Sequence, residues 1–197
     1  MPAAAGRQPQ RAFGQAHRIV TEESEVAWAG RFIEARRKGK WEYVARKGEI
    51  TAAVIVAIHE GEVILVEQHR VPVGGPCLEL PAGLVGDEGE PEEIEAAAAR
   101  ELEEETGYRP ERIVRLGRFY ASPGMSSEYF WLVRAEGLAK VGEGGGVAGE
   151  DIIVHRVRLS ELPAFVEGKR AEGAEVDVKL LLLLGSALLQ PGGGAGD

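Results

Sequence analysis

Between Gly86 and Glu105 the chain places ten of its 32 acidic residues beside a single base, Arg100, while the remaining sequence is close to charge-balanced. An acidity this local asks which cation it serves, whereas a diffuse one argues only for solubility. On a helix, Glu101, Glu104 and Glu105 stand at i,i+3 and i,i+4 spacing and so share a face. Like charges there cost about 0.2–0.5 kcal/mol per pair, and Arg100 can offset one as the i,i+4 partner of Glu104. Oxygen ligands in this density suit Mg²⁺ or Mn²⁺, hard cations that keep waters for substrate phosphates to replace. Glu93, Glu95 and Glu103, at other offsets, read as a solvated surface.

The spacing predicts a helix over 91–106, with proline near its start and Gly107 just past its end. Ala96 to Ala99 give it a small-residue side that can approach a sheet closely. Strand-like runs rich in Val and Ile lie on either side: EYVAR, ITAAVIVAI, EVILVEQ and CLEL before it, RIVRLGRFYA, EYFWLVRA and DIIVHRVRL after it. The second and third are separated by His59-Glu60-Gly61, a hairpin turn. Two more helices are expected, one from Ser160 as N-cap to about Glu167, the other from about Val176 to Gln190. A mixed sheet with helices on both faces is the economical assembly. The glycine-rich stretch 142–149 reads as a mobile loop, and 191–197 as a frayed tail.

Composition limits the alternatives. A hydrophobic content of 44% excludes wholesale disorder, and 197 residues suit one domain. The stretch around Leu180–Leu184 is too short to span a bilayer, and no basic stripe suggests a nucleic-acid partner. Residues 1–16 lack the apolar segment of a signal peptide and read as a disordered leader. Cys77 is alone, so an intrachain disulfide is impossible and a cytoplasmic setting is expected.

The full pattern is Gly86-x5-Glu92-x7-Arg100-Glu101-Leu102-x-Glu104-Glu105-x-Gly107-Tyr108. It matches the box of the Nudix hydrolases at every defined position. The resemblance implies the Nudix fold, an α/β/α sandwich of the α/β (α+β) class with a mixed sheet, and hydrolysis of a nucleoside diphosphate linked to another moiety. It also implies divalent metal on Glu101 and Glu105, with Glu104 as third ligand and the Ala82 carbonyl as a further one. The catalytic set it suggests is Glu104, Arg100 and Glu150, the last a general base delivered by the glycine-rich loop. Glu143 is the competing loop acid, and His155 reads as structural.

From about Trp28 to Leu189 the chain further resembles the ADP-ribose pyrophosphatase branch. The signature residues are Glu67-Gln68-x-Arg70, Glu79-Leu80-Pro81-Ala82-Gly83, and Pro123 fifteen residues past Tyr108. Here Pro81-Ala82-Gly83 stands a few residues before Gly86, so the intervening loop is longer than the branch's usual one. The implied substrate is ADP-ribose, cleaved to AMP and ribose 5-phosphate. Trp41 can stack on the base, Arg46 and Arg70 can hold phosphates or ribose through charge-assisted bonds, and by resemblance Trp41 and Arg46 fall where that branch grips adenine; Leu84 and Met125 complete the substrate-binding set. Trp28 would reach adenine from a neighbouring subunit, because the branch pairs as a homodimer through N-terminal strands in 17–48; the hydrolase domain is expected over 49–190. Two other readings stand open: a hydrolase of another nucleotide sugar, a dinucleotide such as NADH, GDP-mannose or an oxidised nucleotide, and a non-hydrolysing ADP-ribose-binding module. The latter generally lose box carboxylates, all of which are present here.

Overall fold

The computed structural model describes residues 23–48, 50–86, 92–147 and 149–188. The expected leader, the tail and Pro91 of the expected box helix lie outside them; Glu92 and Glu93, expected in that helix, precede it, Glu93 being its extended N-cap. A three-stranded antiparallel sheet comes first, from β1 (Glu25–Ala29), β2 (Ile33–Lys38) and β3 (Trp41–Arg46). It is tied to the body through β3, where the Val44 amide donates to Met125 O and Val44 O accepts from the Ser127 amide, both at 2.9 Å.

The body follows as β4 (Thr51–His59), β5 (Glu62–Arg70), β6 (Gly75–Glu79), β7 (Ala82–Val85), α1 (Ile94–Thr106), β8 (Tyr108–Arg109), β9 (Arg112–Tyr120), β10 (Tyr129–Glu136), β11 (Ala139–Lys140), β12 (Ile153–Arg158), α2 (Leu162–Ala171), β13 (Glu175–Val176), a 3₁₀ turn (Val178–Leu180) and α3 (Leu181–Leu188). Glu60 and Gly61 both take positive φ, 52° and 81°, which makes the expected hairpin turn a type I′. β4 and β5 pair only beside this turn, at Ile58–Val63 and His59–Glu62, and then part. Beyond that point β4 pairs with β7 and in parallel with β10, whereas β5 pairs antiparallel with β6 and β12. The sheet is therefore mixed and splits into two halves, one carrying β10 and β9, the other β6 and β13.

Both halves are covered. Ala97, Ala98 and Leu102 of α1 pack with Ala53, Ile55, Ile64 and Val133 on one side, and Leu162, Val166, Leu180 and Leu184 pack with Val54, Leu65 and Leu78 on the other. Burial on both faces explains why β4 and β5 are nearly continuous apolar runs rather than alternating ones. The helices at the end of the chain depart from expectation. Glu161, not Ser160, is the N-cap of α2 and makes no side-chain cap bond. The single helix expected over 176–190 is broken, because β13 draws residues 175–176 into the sheet beside β6 and Asp177 starts a separate 3₁₀ turn. No described helix is long and apolar enough to cross a membrane.

Candidate active site

α1 is placed by its own composition. Its alanines bring it close to the sheet, and Gly107 closes it in the left-handed conformation, its amide donating to Glu103 O at 2.8 Å. The helix then presents Glu101 and Glu105 toward β7. The Ala82 amide donates to Glu105 Oε2 at 3.0 Å. Gly83 explains itself here: a Cβ on it would lie 1.9 Å from Cδ of Glu101, so only glycine leaves room for that carboxylate.

Glu105 keeps 5% of its exposure. Its pKa is pushed up to about 8, first by burial and then by the negative charges of Glu101 and Glu150, against the pull of the Ala82 amide and Arg70. Arg100 balances the other side of the cluster. Its Nη1 stands 3.1 Å from both Glu101 Oε1 and Glu104 Oε2, the guanidinium also pairs with Glu92, and its pKa rises through these partners, Glu92 first. The structure therefore places Arg100 among the carboxylates, as the offset that the i,i+4 spacing promised.

The glycine-rich stretch does not hang free. The amides of Gly145 and Gly146 donate to Glu105 O and Glu104 O at 2.8 and 3.0 Å, satisfying carbonyls that the helix end leaves open. Gly144, at φ 77°, lies so close to the helix that a Cβ would meet the Thr106 carbonyl carbon at 2.5 Å. This docking is what brings Glu150 into electrostatic reach of Glu105; its Oε2 accepts from the Val147 amide at 3.0 Å. The backbone carbonyl of Glu143, the competing loop acid, accepts from Lys140 Nζ.

In front of Gly83, where the two half-sheets part, opens a cleft of about 420 Å³ lined by Arg46, Arg70, Glu79, Leu84, Phe130 and Lys179, with Ala82 and Gly83 on its floor. Arg70 donates to both oxygens of buried Glu79, at 2.6 and 2.7 Å, and Arg46 to Glu128 at 2.6 Å. Neither arginine is therefore bare, as a reading of one residue at a time leaves it. A second hollow of about 390 Å³ is lined by Trp41, Tyr43, Tyr120 and Pro123. Trp41 and Arg46 are five apart on β3, an odd interval, so the pleat sends them to opposite faces and into different hollows. That signal was present in the strand assignment itself. Trp28 lines neither hollow and is 57% exposed on β1; exposed Met125 joins the site only through its backbone bond to Val44.

His155 Nε2 lies 2.8 Å from Glu67, which Lys169 also engages, and its ring packs beside Phe165. Burial, with Glu79 next, raises the Cys77 thiol to about 12, which removes it as a nucleophile.

A hard divalent cation fits this donor set. Every candidate ligand is oxygen, and Glu105 is a buried acid whose ionised form is opposed by the charges of Glu101 and Glu150. Among the described residues no three His, Cys, Asp or Glu side chains are already drawn into the arrangement that grips a metal. A stability profile tests the fit. The folded pKa of Glu105 lies above its ordinary 4.5, so only the unfolded chain loses this proton between pH 4.5 and 8. The contribution of Glu105 to cation-free stability is therefore fully present below that window and falls through it, on the order of 1.4 kcal/mol for each pH unit crossed. Melting temperatures in EDTA should decline accordingly, and added Mg²⁺ should raise them far more at pH 8 than at pH 5. An equal Mg²⁺ effect at both values would refute the assignment.

A family model described as NUDIX domain matches residues 49–177. The methanol dehydrogenase activator of Bacillus methanolicus is 31% identical over 168 residues, covering 80% of this chain and 88% of that protein. The ADP-ribose pyrophosphatase of Bacillus subtilis (strain 168) is 34% identical over 140 residues, covering 71% and 73%. A solved ADP compounds hydrolase superposes with a TM-score of 0.59 over 84% of this chain and 91% of its own, at 24% identity, a likeness of fold.

Proposed function

Because the chain belongs to the Nudix family, we propose that it is a divalent-metal-dependent pyrophosphohydrolase that splits ADP-ribose into AMP and ribose 5-phosphate. One observation carries the reading. The carboxylates of Glu101 and Glu105 are fitted against Gly83 and Ala82, and these two residues of β7, rather than the carboxylates themselves, line a cleft with arginines in its walls. The similarity to a Bacillus subtilis ADP-ribose pyrophosphatase supports the choice of substrate.

Glu101, Glu104 and Glu105, with the Ala82 carbonyl, would hold the ion. A bound Mg²⁺ supplies charge neutralisation on the pyrophosphate and acidifies water. Arg46 and Arg70 exchange their carboxylate partners in part for phosphate oxygens, to which guanidinium presents a fork of donors. Trp41, with Tyr43 and Tyr120 around it, offers the flat face a purine needs. Glu150 accepts the proton of the attacking water at its carboxylate. Arg100 keeps Glu101 and Glu104 apart and oriented. A second copy of the chain would cover Trp28 and Ile33, exposed on the N-terminal strands, and Phe32 in the bend between them, so a homodimer belongs to the proposal.

Product release from ADP-ribose, NADH, GDP-mannose and 8-oxo-dGTP with Mg²⁺ tests it. ADP-ribose should be turned over preferentially. Glu104→Gln should remove most of that turnover, and Glu150→Gln should lower kcat about 10²-fold or more, the usual worth of a general base. Preference for another panel member would keep the chemistry and overturn the substrate; an unaffected Glu150→Gln would remove the loop carboxylate from the reaction.

A further inference from the structure

Three cations reach the main cleft, and each stands beside an acid: Arg46 with Glu128, Arg70 with Glu79, and Lys179 with Asp177. The first two are used above, and the third is not. Asp177 holds Lys179 at both ends. Its Oδ1 accepts the Lys179 backbone N–H at 2.7 Å, capping the 3₁₀ turn, while Oδ2 bonds the ammonium. The ammonium also stands 5.8 Å over the Phe130 ring. Side-chain exposures of 18% and 19% mark the pair as a wall of the cleft rather than a solvated surface. A lysine fixed at root and tip has already lost much of the rotamer freedom that binding would otherwise take from it.

Its position in the sheet says what it meets. The Trp41 hollow adjoins the end of β9, at Tyr120, on the half-sheet of β10 and β9. Asp177 and Lys179 follow β13, which pairs with β6 on the other half. The two hollows adjoin at Tyr120–Ala121 and Ser127–Glu128, so a dinucleotide-like substrate with its base in the Trp41 hollow and its diphosphate beside Gly83 would carry its distal group toward Asp177 and Lys179.

We propose that Asp177 and Lys179 form the subsite for the distal sugar phosphate, with Lys179 donating to its oxygens and Asp177 accepting from its hydroxyls. The pair would then favour a sugar phosphate over a second base at that end. This rests on the ADP-ribose reading above.

The test is product inhibition of ADP-ribose turnover by ribose 5-phosphate and, separately, by AMP. In Lys179→Met, inhibition by ribose 5-phosphate should weaken about tenfold or more, as expected for loss of a charged hydrogen bond. Inhibition by AMP should move by less than about twofold, and the loss with ADP-ribose should fall on KM more than on kcat. Asp177→Asn retains an oxygen to cap the turn, so it reports the same selective loss even if Lys179→Met fails to fold, and Lys179→Arg should restore part of the affinity. Equal weakening toward both products, or unchanged ribose 5-phosphate inhibition in both variants, overturns the subsite. Wild-type protein that does not turn over ADP-ribose overturns the underlying reading first, and the subsite with it.

Discussion

Glu105→Gln should reduce kcat/KM on ADP-ribose by on the order of 10³-fold and, in the same molecule, make the cation-free fold more stable. The two effects have one cause. Glu105 is buried, and its neighbours Glu101 and Glu150 repel the ionised form, so its pKa stands at about 8. A charge held in that position has a use only when a cation shares the site, and losing several kcal/mol of charge stabilisation costs a factor of ten for each 1.4 kcal/mol or so. The glutamine keeps an oxygen to accept the Ala82 amide that now donates at 3.0 Å. It carries no charge to be opposed by Glu101 and Glu150, so the penalty of ionisation is gone. The gain in melting temperature, measured in EDTA, should be largest near pH 8 and vanish below pH 4.5, where wild type is protonated in both states. Nearly full activity would show that Glu105 takes no part in holding the ion. A loss of stability at pH 8 would show that its carboxylate is compensated by partners other than a cation.

Gly83→Ala should cost about 10²-fold in kcat with little loss of fold, a larger effect than one methyl group ordinarily has. The added Cβ would fall 1.9 Å from Cδ and 2.3 Å from Oε1 of Glu101, so the carboxylate must leave. Misplacing a reacting or ligating group by about an ångström costs that much even when every chemical group is retained. The apparent Mg²⁺ requirement should rise together with the fall in kcat, while the circular dichroism spectrum stays that of wild type. Gly124, which has open space around the same hypothetical Cβ, supplies the control, since its alanine variant should leave Mg²⁺ dependence unchanged. Retention of wild-type kcat and Mg²⁺ dependence in Gly83→Ala would mean that the Glu101 position seen against Gly83 is not the working one.

The parts of this site that are legible in the chain are those encoded within a few turns or strands. Helical spacing puts Glu101, Glu104 and Glu105 on one face and pairs Arg100 with Glu104, and Gly107 marks the end of the helix, because i,i+3 and i,i+4 geometry is a property of the local backbone. The hairpin at Glu60-Gly61 is legible for the same reason. The glycine-rich stretch is not: its composition suggests freedom, whereas positive-φ glycines let its amides dock on the carbonyls at the end of α1. The last helix is shorter than its apolar run suggests because the residues near 176 fit β13 as well as a helix, and pairing with β6 decides between them.

The sequence by itself determined that a dense carboxylate helix would exist, where it would end, what class of ion its oxygens suit and which strands would surround it. Tertiary structure alone decided what those groups mean to one another. Arg46 finds Glu128 across 82 positions, Asp177 and Lys179 join β7 in lining one cleft, and buried Glu105 accepts the Ala82 amide and feels the charges of Glu101 and Glu150. The division is physical. Backbone periodicity acts over a few residues and can be read along the chain, but the field at a carboxylate depends on burial and on charges brought near it through space.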